Sequence, residues 1–462
     1  MHHLIAQPSK LARLLPTVTL LLLLLCVPAD AGRTLTLGIG ESRDFGMQAL
    51  HSGRPDVARA IARGLLQRDR NDLQALFMLS AAQTALGRGA LAVKTGKRAL
   101  SLAQTGADRF TAARLIAAGK AKSRKYIQSE LWLRRALQYA PSPYHEKIAK
   151  RDFRLVKRTN PLRLNFIFGV APTSNVNNGA STDLAWLFGL PFLLSSDAQA
   201  LSGTEYNAGV KATYRLSQSV KHATDLGVML YGKGYSLSRS AKRKAPNARA
   251  KNYAFFAAEI FGSHQRLYND GRSMLSFSAT LGQNWYGGDP LNRYLRLGVR
   301  QRQAMSPKVK REFGLEVEHQ SPVGRGGNDI TTLSLQGNLD IALQDKGKLI
   351  LGLEGRRAIS DSRSAEFDSV ALKLDYWLGQ PVWGTDVSFG LSAERRDYPF
   401  SVYNANGRQD TRLSAGVSFV FSKAQLFGFS PSIDLRVTRN KSNIGLYDTE
   451  LFTTRLGLRS TF

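Results

Sequence analysis

From Asn160-Pro161 onward, polar and apolar residues alternate with a period of two. Leu162, Leu164, Phe166, Phe168 and Val170 share one face, and Arg163, Asn165, Ile167 and Gly169 share the other. Leu333, Leu335, Leu339 and Ile341 alternate in the same way with Ser334, Gln336, Asn338 and Asp340. Val387, Phe389, Leu391 and Ala393 alternate with Ser388, Gly390, Ser392 and Glu394, and Leu413, Ala415, Val417 and Phe419 with Ser414, Gly416 and Ser418. Successive strand residues point to opposite faces, so each segment predicts a strand that is apolar on one side only. The segments run for about ten to fourteen residues, the length of a tilted membrane-crossing strand.

A soluble sandwich would alternate too, so connections and count decide between the two. About fourteen segments follow Pro161, an even number that returns the chain to its starting side. Short turns such as Tyr268-Asn269-Asp270-Gly271 and Gln344-Asp345-Lys346-Gly347 are followed by longer, more polar connections. The last segment places Phe452, Leu456, Leu458 and Phe462 on one face, a pattern resembling the signal read by the outer-membrane barrel assembly machinery. In hydrocarbon every backbone group must be paired internally, and strands achieve that only by closing a barrel. Residues 161–462 are therefore predicted to form a transmembrane antiparallel β-barrel of about 14 strands with its polar faces turned inward.

The region from 44 to 155 has a different texture, rich in Ala, Leu, Arg and Gln and nearly free of β-branched runs, which predicts helices. It also repeats. Gly53-Arg54-Pro55-Asp56-Val57-Ala58 is echoed 34 residues later by Gly87-Arg88-Gly89-Ala90-Leu91-Ala92. Leu65-Leu66 recurs as Ala99-Leu100 and, after a three-residue insertion, as Ala136-Leu137 before Pro141. A 34-residue period with small residues at the helix crossings resembles tetratricopeptide repeats, here three degenerate ones. The fold class is thus multi-domain, an N-terminal all-α tetratricopeptide-like solenoid followed by the barrel.

Residues 1–31 read as a cleaved signal peptide: Lys10 and Arg13, an apolar stretch over Val18–Val27, then Pro28-Ala29-Asp30-Ala31 as the processing site. Residues 32–43 read as a linker. Export places the barrel in the bacterial outer membrane, with outer-membrane lipids around it and the helical domain in the periplasm. Cys26 is the one cysteine of the 462 residues, so neither a disulfide framework nor a cysteine-ligated metal site is predicted. The barrel histidines, His222, His264 and His319, fall into no arrangement with Ser and an acid. No enzymatic centre, metal or cofactor is predicted.

The chain carries 64 Lys+Arg against 35 Asp+Glu, a net +29. Residues 44–160 hold 23 Lys+Arg against 8 Asp+Glu. That excess fits a solvated face near anionic headgroups, or a concave surface gathering an acidic or partly unfolded client. Nucleic acid is not an expected partner of an exported protein lacking any recognition motif. Inside the barrel, Arg296, Arg300, Arg356, Arg455 and Arg459 face a supply of acids that includes Glu312 and Glu316. Such lumen charges of both signs tend to cross-link the interior, so a wide permanent pore is not required. The longest outside connection, roughly 171–203, contains Trp186, Phe188, Leu190, Pro191, Phe192, Leu193 and Leu194. So apolar a loop reads as a plug or lid, or as a contact for a passenger.

A leader, a short tetratricopeptide-like module and a fourteen-stranded barrel together resemble the surface lipoprotein assembly modulator (Slam) family. Its barrel portion commonly opens with a short strand followed by Pro-x-Ser-Asn-x-Asn, and here Pro172-Thr173-Ser174-Asn175-Val176-Asn177-Asn178 follows the first strand. The plainer role for this candidate motif, Pro172, Ser174, Asn175, Asn177 and Asn178, is side-chain-to-backbone bonding by its asparagine cluster that shapes the loop. The resemblance implies an outer-membrane translocator that delivers a client lipoprotein, or a related haem or iron carrier protein, to the cell surface. It implies further that the helices receive the client and the barrel passes it. An exopolysaccharide-export barrel and a diffusion porin are the rivals; the short module and mixed-sign lumen disfavour the first, and a porin has no use for the helices.

Overall fold

The computed structural model describes residues 37–188, 190–324 and 327–460. The predicted leader and Phe462 lie outside the described residues. The described residues open with seven helices: α1 (Ile39–His51), α2 (Pro55–Arg68), α3 (Leu73–Ala85), α4 (Gly89–Leu102), α5 (Gly106–Lys122), α6 (Tyr126–Gln138) and α7 (Pro143–Thr159). Helices α2, α4 and α6 start 34 and 37 residues apart, which is the sequence repeat together with its three-residue insertion.

The repeat has a local cause. Gly53 and Gly87, at the ends of α1 and α3, adopt φ of 72° and 79°. The following amides, of Arg54 and Arg88, then donate back to Ala49 and Gln83 carbonyls and close the preceding helix. At the third turn Arg124 (φ 58°) stands in that place, with Lys125 N–H donating to the Lys120 carbonyl. Small residues let the antiparallel partners touch: a Cβ on Gly89 would lie 2.5 Å from the Gly119 carbonyl. Ser80 and Ser129 each donate across a crossing, to Ala92 and Ala117 carbonyls at 2.9 and 2.7 Å. Ala58, Ala62, Ala82 and Met78 pack into one buried cluster, and further on Phe110, Ala113, Ala136 and Ala149 pack into another.

Asn160 passes directly into the barrel. Its strands are β1 (Leu162–Thr173), β4 (Gly203–Gln218), β5 (His222–Leu237), β6 (Phe255–Tyr268), β7 (Ser273–Tyr286), β8 (Asp289–Ala304), β9 (Val309–Pro322), β10 (Ile330–Ala342), β11 (Lys348–Ser360), β12 (Phe367–Trp377), β13 (Asp386–Tyr398), β14 (Arg408–Val420), β15 (Phe429–Ser442) and β16 (Thr449–Ser460). They run antiparallel in chain order, and β16 returns to pair with β1, closing a 14-stranded barrel. A separate hairpin, β2 (Leu184–Leu187) and β3 (Leu190–Leu193), sits in the connection between β1 and β4. A short helix, α8 (Arg239–Lys244), lies between β5 and β6.

The alternation has its expected consequence. Leu295, Leu297, Val299, Leu335, Leu353, Leu372, Leu391 and Leu413 stand exposed on the outer wall, while their polar neighbours turn inward. On the rim nearest the helices the connections include tight turns such as Asn269-Asp270-Gly271, all three at positive φ. The far rim carries the long connection over 174–202, although Gly287-Gly288 makes one far-rim link of only two residues. The first strand runs three residues beyond Val170: Pro172 and Thr173 remain in register with Thr204 and Gly203 of β4. Pro172 has no N–H to donate, so it sits where the neighbouring ladder does not need one.

Candidate functional site

The two strands that close the barrel are unequally held. On its β4 side, β1 pairs over all twelve residues from Leu162 to Thr173. On its β16 side, among the described residues, it pairs at Gly169–Gly457, Val170–Leu456 and Thr173–Thr453. Continuing the register would set Phe168 opposite Leu458 and Ile167 opposite Arg459, but these residues form no ladder among the described residues, and β16 there pairs only with β15. Ile167 and Phe168 of β1 thus present a backbone edge among the described residues. Phe166 and Phe168, stacked with ring centroids 6.2 Å apart, line its outer face. Leu456 and Leu458 of β16, predicted as part of an assembly signal, are exposed on the same outer wall.

Inside the barrel a salt bridge spans this seam. Arg455 Nη2 of β16 reaches Glu205 Oε1 of β4 at 3.1 Å, passing across β1. Glu205 is only 9% exposed and also receives the Tyr235 hydroxyl at 3.3 Å. The other predicted lumen charges gather into separate clusters. Arg296 meets Glu318 at 2.6 Å, Glu316 at 3.5 Å and Glu259 at 3.8 Å. Arg300 reaches Glu312 at 3.3 Å, Arg356 reaches Glu354 at 2.7 Å and Glu394 at 3.8 Å, and Arg459 reaches Asp434 at 2.5 Å. These pairs join close strands and leave lumen cavities of about 440 and 520 Å³.

The Pro-x-Ser-Asn-x-Asn segment fastens the far end of the seam. Ser174 N–H donates to the Phe452 carbonyl at 3.1 Å, and Ser174 Oγ accepts from Phe452 N–H at 2.9 Å. Asn175 exchanges two hydrogen bonds with the Gly179 backbone. Asn177 Nδ2 donates to Asp197 and Gln199 carbonyls, and its Oδ1 accepts from Leu201 N–H. Asn178 adopts φ 51°, a conformation asparagine tolerates. The Ser174, Asn175 and Asn177 side chains are engaged with backbone and hold the 174–202 connection in place, Ser174 and Asn175 against β16. From there the β2–β3 hairpin leans on other far-rim loops: Ala185 packs on Gly445, and Phe188 lies 5.9 Å from the Tyr403 ring. Its other large residues stay exposed, Trp186 at 60% and Leu193 at 78%.

At the opposite rim the helices dock beside the same seam. Arg134 of α6 donates to the Phe427 and Gly428 carbonyls at 3.1 and 3.3 Å and to Ser460 Oγ at 3.0 Å. Its guanidinium stacks between Phe153 at 4.8 Å and Phe429 at 4.3 Å. Burial pushes the Arg134 pKa down and raises that of Glu130, which accepts from Asn160 Nδ2 at 2.8 Å. A groove of about 480 Å³ opens between α5, α6 and α7, floored by Ala117, Ala121 and Leu133 and flanked by the Arg114–Asp152 ion pair.

Glu205, Gly169 and Arg134 are the site residues that sequence reasoning did not select. Nothing local marks Arg134, whose partners lie about 290 residues away in sequence. The glycine pair had a weak signal, since Gly169 and Gly457 each interrupt an inward face in the two terminal strands.

Comparison with known proteins gives a family and several similar structures. A family model described as SlipAM, surface lipoprotein assembly modifier, matches residues 163–462. No curated protein sequence matches. Among solved structures, the first TPR domain of human RPAP3 is similar at 17% identity, covering 25% of this chain and 87% of that one, with a TM-score of 0.22. An outer membrane channel from Pseudomonas putida F1 is 11% identical over 64% of this chain and 95% of its own (TM-score 0.32). A BenF-like porin from Pseudomonas fluorescens Pf-5 is 8% identical over 65% and 98% (TM-score 0.37).

Proposed function

Because the chain belongs to the surface lipoprotein assembly modifier family, we propose that it acts in the outer membrane, delivering specific lipoproteins or related haem or iron carrier proteins to the cell surface. In this reading a leader over residues 1–31 directs export, and the assembly machinery recognises the last strand. The helices face the periplasm and receive the client, and the barrel passes it without catalysis. The observation that carries the reading is the three-pair ladder between β1 and β16, against twelve pairs between β1 and β4. An unpaired strand edge is a template for an added strand. The edge at Ile167 and Phe168 lies on the half of β1 nearer the rim where α6 docks, so a client strand leaving the helical groove meets backbone donors and acceptors there. Transient pairing with β1 offers the client a route past the seam in which its own backbone groups stay satisfied.

The test is surface display by protease shaving in a heterologous bacterium. The chain is expressed with each of a small panel of candidate carrier lipoproteins, beside a deletion of residues 39–159 and a seam-locked variant, V170C/L456C. The reading requires that a client become protease-accessible only with the intact chain, and that the oxidised lock block display while its reduction restores it. Display that persists through the lock removes the seam from the mechanism. Passage of a polymer or small solute with no protein client replaces the whole reading with polysaccharide export or a diffusion porin.

A further inference from the structure

The connection between β5 and β6 carries the densest charge of one sign outside the helices. Arg239, Lys242, Arg243, Lys244, Arg249 and Lys251 fall within it, and no Asp or Glu lies between 238 and 254. All six are exposed, and none forms an ion pair among the described residues. The adjoining 174–202 connection supplies Asp183 and Asp197, neither of them paired with this segment.

Like charges so crowded would ordinarily extend a loop into solvent. This one is built. Ser238 caps α8, its Oγ accepting from Ala241 N–H at 3.1 Å, while its own N–H donates to the Ser202 carbonyl at 3.0 Å. Ala241 and Ala245, one helical turn apart, are buried against Val176, Leu201 and Leu237. The intervening Lys242, Arg243 and Lys244 are thereby turned outward on a fixed scaffold. Where β6 and β7 reach the far rim, Phe256 packs 5.3 Å from Trp285. Aromatic residues of this kind mark the level where a barrel leaves hydrocarbon for headgroups. The cations therefore stand on the far rim near this aromatic pair, on a fixed scaffold and in no ion pair among the described residues.

We propose that this loop is a binding site for the phosphate groups of a phosphorylated glycolipid in the outer leaflet. Ammonium and guanidinium groups are the side chains that take phosphate oxygens, and several held on one scaffold suit a ligand with several separated phosphates. A lipid is favoured over an acidic protein because the loop is packed down on the rim next to an aromatic pair of the barrel wall. The inference rests on the reading that puts the helices in the periplasm, and hence this rim outside.

The full chain in detergent is titrated with lipid A and with dephosphorylated lipid A, alongside K242S/R243S/K244S and, as a milder second variant, R249Q/K251Q. The heat-dependent gel mobility of the barrel serves as the folding control for each. The expected result is salt-sensitive binding of lipid A, lost with the dephosphorylated form and weakened roughly tenfold or more in the triple variant. Equal affinity for the two lipids, or unchanged affinity in both folded variants, overturns the proposal. So does normal lipid A binding by a triple variant that no longer displays a client, since that makes the loop a protein contact. Placement is read separately. A membrane-impermeant maleimide must label S240C on intact cells, and protection there overturns the outside assignment whatever the binding in detergent. Client display by the triple variant keeps the lipoprotein reading distinguishable from this one.

Discussion

Arg455 and Glu205 meet at 3.1 Å although β1 lies between their strands, and Gly169 is what lets them meet. A Cβ at Gly169 would fall 3.2 Å from Arg455 Cδ and 2.4 Å from Asn207 Oδ1. The same glycine sits opposite Gly457 in the first of the three pairs joining β1 to β16. At this glycine pair the seam carries no side chains on the inside, and the guanidinium crosses there to reach β4. Closure combines a short backbone ladder with one long-range ion pair.

Gly169→Val is expected to push Arg455 off this path and loosen the seam. The barrel's heat-modifiable gel transition should fall by several degrees. Gly457→Ala is the control, because its Cβ meets only Ser432 Oγ at 3.2 Å and the Phe168 carbonyl at 3.5 Å, and should shift the midpoint far less. Equal shifts for the two substitutions would show that the crossing of Arg455 does not contribute to closure.

Arg124→Gly should stabilise the helical module. Arg124 holds φ 58° in the turn that Gly53 and Gly87 make in the earlier repeats. A side chain in the left-handed region costs energy that glycine avoids, less the chain entropy that glycine loses on folding. The expected gain is about 0.5–1 kcal/mol, read as a higher urea midpoint of the far-ultraviolet helical signal in the full chain. A lower midpoint would mean that the Arg124 side chain contributes more than its backbone conformation takes away.

The period-two and 34-residue patterns made both architectures legible because each reports a local rule, face alternation in one and a helix-closing turn in the other. Leu335 points outward and Glu354 inward for reasons contained in their own strands. The third repeat was harder to see since Arg124 replaces the glycine and only the backbone keeps the pattern. The predicted lumen arginines were recognisable as inward-facing, but their partners were not. Glu205 is a seam residue only because the barrel closes, bringing β4 within one strand of β16. Pairing across closure depends on register, which no single strand encodes. The asparagine motif was visible as a string of residues, whereas its bonds to Gly179, Gln199 and Phe452 required the folded loop.

Acid should weaken the helical module through Asp72. Burial alone would raise the pKa of this carboxyl, but the Ala75 N–H at 3.0 Å and the Arg43 guanidinium at 2.8 Å outweigh it and hold the value below the ordinary 3.8. A depressed folded pKa contributes stability that is complete above the unfolded value and is lost as pH falls through the folded one. Urea midpoints of the helical signal should therefore stay level down to about pH 5 and drop below about pH 4. Asp72→Asn should be less stable at neutral pH and flatter in acid. A variant as acid-sensitive as the parent would assign the loss to other carboxylates.

Arg134 should prove to be the joint between helices and barrel. Its guanidinium donates to two carbonyls of the β14–β15 connection and to Ser460 at the end of β16, with an aromatic ring on each side, while Gln138 Oε1 accepts from Phe427 N–H at 3.2 Å. Lysine keeps the charge but not the planar fork or the stacking, so Arg134→Lys and Arg134→Ala are both expected to release the module. Release exposes the α7 end, where Lys157 and Arg158 precede Asn160-Pro161. Trypsin should then cut there roughly tenfold faster at unchanged helical content, a shift of about 1.4 kcal/mol in the docking equilibrium. Client display should fall in parallel while the barrel keeps its heat-modifiable mobility, since a client leaving the groove would no longer be delivered to the β1 edge. Faster cleavage with full display would instead show that docking positions the helices without serving transfer.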